Sequence, residues 1–91
     1  MSKAEFIDNN QHLFWYIKKD ALHNISDAVL VEFILNYGNM QAVKDLFAIM
    51  GETAVAKEFS KAVKGNRNNY FPQVQNYFDL YFKEYVPQYP F

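Results

Sequence analysis

Residues 28–38 read A-V-L-V-E-F-I-L-N-Y-G, and on a helical wheel their apolar side chains cover almost the whole circumference. Only Glu32 and Asn36, one turn apart, interrupt them with a narrow polar strip. A helix that is apolar on nearly every side belongs inside a domain, so this stretch predicts the core that the other elements surround. Ser26 and Asp27 suit its start. Gly38 suits its end, in the left-handed conformation that glycine adopts cheaply.

The flanking segments carry one-sided patterns. S-K-A-E at 2–5 has the spacing of a capping box, and Phe6, Ile7, Leu13, Phe14 and Ile17 then share one face. That predicts a first helix over 3–17, broken near Asn9 because D-N-N is poor helix material. Residues 18–25 form a polar connector with one helical turn near 21–23. Asn39 caps a third helix over 40–50, with Ala42, Val43, Leu46, Phe47, Ile49 and Met50 on one side and Gln41, Lys44 and Asp45 on the other. A fourth helix over 53–64 buries Val55, Phe59, Ala62 and Val63 and shows Lys57, Lys61 and Lys64 to water. After a turn-rich loop over 65–69, Pro72 suits the first position of a fifth helix reaching Tyr85. Val74, Tyr77, Phe78, Tyr81, Phe82 and Tyr85 share its apolar face. Pro87 and Pro90 stop it and leave 86–91 as an extended tail. No stretch alternates with the period of two that strands require. The fold class is all-α: a compact bundle of four to five short helices around a central apolar helix at 27–37. It forms one domain over 1–85.

Composition narrows the chemistry. A chain of 91 residues buries roughly 60–65% of its unfolded surface, and its seventeen aromatic residues supply most of the material for a core. With no cysteine there is no disulfide framework, thiolate metal site or thiol nucleophile. A net charge of −1 predicts no general attraction to nucleic acid or anionic membrane. The N-terminus lacks the apolar core of a signal peptide, and no apolar run approaches the ~18 residues of a membrane span. The expectation is a soluble cytoplasmic protein.

The order L-F-W at 13–15, L-V-E-F-I-L-N-Y-G at 30–38, L-F-A-I-M-G at 46–51, a basic helix followed by Arg67, and N-Y-F-D-L-Y-F at 76–82 resembles a family of small helical proteins common in Bacteroidetes. That family is functionally uncharacterised, with an F-W near the start and an E-x-x-L-x-x-G core helix. Its members are often encoded beside nucleotidyltransferase-like toxins of the abortive-infection type, so the resemblance implies an antitoxin-like or accessory role. Tyr16 stands where the family usually has an acid, and Phe33 where it usually has arginine. The resemblance supplies no catalytic residues.

Enzymatic machinery is not apparent. His12 and His23 belong to no H-E-x-x-H, and joining them to Asp8 or Asp20 as metal ligands is demanded by no spacing. Gly38, Gly51 and Gly65 each end a helix and read as caps, not a phosphate cradle. The expectation is therefore a non-enzyme without cofactor or metal. Glu32 is the core helix's one acid, and if buried it needs a partner; Arg67, the only arginine, is the candidate. Lys57, Lys61 and Lys64 with Arg67 form a basic ridge, whose functional reading is a small DNA-binding regulator making weak, salt-sensitive phosphate contacts. The strongest signal is aromatic: nine of the seventeen aromatic residues fall within 70–91. Tyr77, Tyr81 and Tyr85 edge the fifth helix, Leu80 lies on its polar side, and no helix obviously covers Tyr89 or Phe91. With Trp15 and Tyr16 these form a candidate surface for a protein partner or a homodimer.

Overall fold

Three of the helices begin where a side chain satisfies an otherwise unpaired N–H group. In the computed structural model, which describes residues 1–15, 17–65 and 68–91, Ser2 accepts the Glu5 N–H at 3.1 Å and opens α1 (Lys3–Asn9). Ser26 accepts the Val29 N–H at 3.2 Å and opens α2 (Asp27–Tyr37). Asn39 accepts the Ala42 N–H at 2.9 Å and opens α3 (Met40–Met50). α4 (Glu52–Lys64) follows Gly51 directly, and α5 (Pro72–Tyr85) starts on its proline. Among the described residues there is no strand, so the all-α class holds.

The first helix breaks as the D-N-N pattern predicts. Asn10 turns its side-chain amide back to the Phe6 carbonyl at 2.9 Å, competing with continuation of the helix. The chain resumes as a 3₁₀ turn over Gln11–Phe14, and the polar connector forms another over Lys19–Asn24. Lys3 fastens the start of α1 to the start of α2, donating to the Ile25 carbonyl at 3.2 Å and to Asp27 Oδ1 at 3.0 Å.

α2 is the buried centre: Leu30, Val31, Phe33, Ile34 and Leu35 are all enclosed. It packs most closely on α4, whose buried face includes the small residues Ala56 and Ser60. This turns α4 away from the expected orientation. Ala56 and Ser60 join Val55 and Phe59 in the interior, while Ala62 and Val63 are only half-buried. α5 is held instead through rings, with Phe78 and Phe82 packed against Phe59 and with Phe47 of α3 between Tyr81 and Phe82.

Two expectations are corrected. Gly38 is not left-handed; its φ of −76° suits any residue. Glycine is needed there because a Cβ would lie 2.6 Å from the Ile34 carbonyl oxygen and 3.1 Å from the Ala42 Cβ. Only Gly51, at φ +87°, uses the positive-φ freedom expected of the helix-ending glycines. Nor is 86–91 an extended appendage. Val86 and Tyr89 are buried in the core, and Phe91 is half-buried. The reversal is driven by Tyr89, which packs on Phe59 and Phe82 while its hydroxyl donates to Asp79 Oδ1 at 2.7 Å. Tyr89 is thereby removed from the candidate partner surface.

Candidate protein-docking surface

The N-terminal turns of α3 and α5 lie side by side, because Met40 and Val43 face Val74, Tyr77 and Phe78. Further along, Phe47 stacks on Tyr81 at 5.7 Å between ring centroids, so the two helices run in the same direction. Rings fill the seam at its far end. At its near end they do not, and a groove of about 260 Å³ remains, with Leu35 and Gly38 of the α2–α3 corner also lining it. Among the described residues no charged side chain lines this groove; Asn39 and Gln73 are its polar members.

Along the seam the tyrosines form a ladder. Tyr77 and Tyr81 lie 6.5 Å apart and Tyr81 and Tyr85 4.7 Å apart between centroids. Tyr81 is half-buried and its hydroxyl donates to Glu52 Oε2 at 3.3 Å; partial burial, and then the Glu52 charge, raise its phenol above the usual tyrosine value. The rest of the ladder faces solvent: Tyr77 is 46% exposed and Tyr85 62%, with Leu80 at 58% and Met40 at 55%. Tyr77, Tyr81 and Tyr85 are thus brought onto one edge of α5, while Leu80 is exposed on the helix's polar side. The groove was not legible, since the pairing of α3 with α5 is a long-range event. Its local trace was Met40, which continues the Val43–Phe47 side of α3 yet has no neighbour in sequence to cover it.

The other candidates are placed elsewhere. Trp15 is 71% exposed at the end of the first 3₁₀ turn, on no element of the seam. Tyr16 and Arg67 lie outside the described residues, and with Arg67 goes the Glu32–Arg67 pairing. Glu32 itself is half-buried, and its charge, with that of Glu58, adds to the burial that raises the Tyr70 phenol well above its usual value. Asn36, the other half of the polar strip, has a clear structural task. Its amide donates to the Asn69 carbonyl at 3.0 Å and accepts the Phe71 N–H at 3.2 Å, tying α2 to the chain that enters α5.

The lysine ridge is partly engaged within the molecule. Lys57 sits over the Phe91 ring, 5.5 Å from its centroid, and Lys61 pairs with Glu58 at 3.4 Å; Lys64 is exposed. His23 meets Asp8 at 2.7 Å, and that hydrogen bond lowers the Asp8 carboxyl below its usual value. Among the described residues no three His, Cys, Asp or Glu side chains converge as a metal site, and no helix is long and apolar enough to cross a membrane.

Comparison with protein-family models, with curated proteins and with solved structures matches this chain to none of them.

Proposed function

We propose that this chain is a non-enzymatic interaction module that docks a protein partner or a second copy of itself through the α3–α5 seam and the outer face of α5. The observation that carries the reading is the exposure of Met40 and Tyr77 at a groove that no charged side chain lines among the described residues, with Leu80 and Tyr85 exposed further along α5. Each leaves on the order of 100 Å² of mostly apolar surface in water, judged from the size of such side chains. Together they reach the range of the largest apolar patch on a typical monomer, ~300–600 Å², where patches are often functional. Tyrosine and methionine are also residues that interfaces favour.

The alternative, DNA contact through Lys57, Lys61, Lys64 and Arg67, draws less support. Lys57 and Lys61 already have partners, which leaves few cations for phosphates. The family resemblance extends the docking reading to an antitoxin-like or accessory role, in which the docked protein is a nucleotidyltransferase-like toxin. The test is affinity capture with the full chain against a Tyr77→Glu/Leu80→Glu variant, both checked for helicity by circular dichroism. A partner retained by the parent and lost by the variant is expected. One bound equally by both overturns the placement of the surface.

A further inference from the structure

The seam has a hole at one end and a knob at the other. The α5 side of the groove is Gln73, Val74, Tyr77 and Phe78, the most exposed ring of the tyrosine ladder is Tyr85, and Tyr81 lies between them. At ~1.5 Å per residue the groove extends from about 5 to about 12 Å before Tyr81 and Tyr85 lies about 6 Å beyond it, so Tyr81 falls between hole and knob. A two-fold axis through Tyr81, perpendicular to the seam, would carry Tyr85 of each copy onto the groove of the other. Such a contact is isologous: the same patch serves both sides, and it closes on itself without leaving a sticky end. We infer that the occupant of the α3–α5 groove is Tyr85 of a second copy of this chain, in an antiparallel homodimer centred on Tyr81; this rests on the docking reading above.

Chemistry and area agree with that occupant. The groove offers Met40, Val43, Val74 and Phe78 to a ring, and Asn39 and Gln73 to a phenol hydroxyl. Its volume of about 260 Å³ falls below the ~300–1,000 Å³ of small-molecule sites and is closer to what one aromatic side chain needs. An ordinary interface buries ~800 Å² per partner, a little over half of it apolar. Met40, Tyr77 and Tyr85 together supply about 300 Å², over half of that apolar share. The tail of the same copy does not compete, because Tyr89 is engaged on Phe59 and Phe82. Antiparallel packing also sets the two α5 dipoles in opposition, which is the favourable arrangement.

The test is sedimentation equilibrium of the full chain over a concentration series reaching about 500 µM, beside Tyr85→Ala. The chain has no cysteine, so single cysteines report geometry on a clean background. A Gln73→Cys copy mixed with a Tyr85→Cys copy is oxidised and the disulfide products are resolved by mass. The expected result is a dimer whose dissociation constant rises at least about ten-fold in Tyr85→Ala, as for a buried tyrosine anchor. The mixed Cys pair should cross-link in preference to either copy with itself. A monomer throughout, a dimer indifferent to Tyr85→Ala, or cross-linking without that preference overturns the homodimer. None of these touches the docking reading, which fails separately if Tyr77→Glu/Leu80→Glu leaves both self-association and partner capture intact.

Discussion

Ser60 shows how one side chain can be out of register with its surroundings. It is 1% exposed within α4, and its hydroxyl has no hydrogen-bond partner among the described residues. A buried unmade hydrogen bond costs about 1–3 kcal/mol. Ser60→Ala keeps the small volume that the helix contact needs, so it should stabilise the chain by roughly 0.5–1 kcal/mol in urea unfolding. Asn36 is the opposite case. Both ends of its amide are used, so Asn36→Ala should destabilise by about 1–3 kcal/mol, and Asn36→Asp should recover only the Phe71 contact. Asn36 was legible in the sequence as half of a polar strip, but its partners lie 33 and 35 residues away and could not be read from it.

At the scale of elements, the helices themselves were plain from local pattern. α3 and α5 begin and end where the periodicity and caps place them, and α4 starts one residue early, at Glu52. What pattern could not give was how the pieces meet. The buried face of α4 includes Ala56 and Ser60, and small residues carry little weight in a hydrophobic pattern. The tail is the clearest instance. Prolines at 87 and 90 announce the end of a helix but say nothing about where the chain goes next. Removing 86–91 would strip Val86 and Tyr89 from the core and uncover Phe59 and Phe82. At ~1.5–3 kcal/mol per buried side chain, the loss is about 3–6 kcal/mol, a large part of a small domain's stability. Thermal unfolding should show the truncated chain melting at least about 10 °C lower, or already unfolded at room temperature.

For the molecule as a whole, the tail contact predicts a pH dependence at both ends of the scale. Asp79 accepts from Tyr89 and pairs with Lys83 at 2.9 Å; both hold its carboxyl below the usual value, the Tyr89 bond more strongly. A lowered folded pKa gives stability that is present above about pH 4 and is lost as pH falls through the folded value. Tyr89 and Tyr70 have the opposite sign. Burial raises both phenols, so their contribution is complete below about pH 10 and is lost as pH rises beyond it. Denaturant midpoints measured across pH should fall at each extreme, and Asp79→Asn should flatten the acid limb. Absorbance at about 295 nm should show Tyr70 and Tyr89 ionising only as the chain unfolds, since their folded phenols are protected by burial. An acid limb unchanged in Asp79→Asn would mean that the Tyr89–Asp79 contact contributes nothing.

The sequence by itself determined the all-α class, the central place of α2 and the helix starts at Ser2, Ser26, Asn39 and Pro72. It could do so because helical periodicity and capping are local, acting over four residues or fewer. Only the tertiary structure decided that Gly38 is needed for space and not for φ, that Tyr89 is core and not surface, and that α3 and α5 leave a groove between them. Those are consequences of which surfaces meet, and they depend on volumes and distances between segments far apart in the chain. The aromatic residues near the C-terminus could be counted from the sequence. Their division into Phe78, Phe82 and Tyr89 inside and Tyr77 and Tyr85 outside was settled by packing alone.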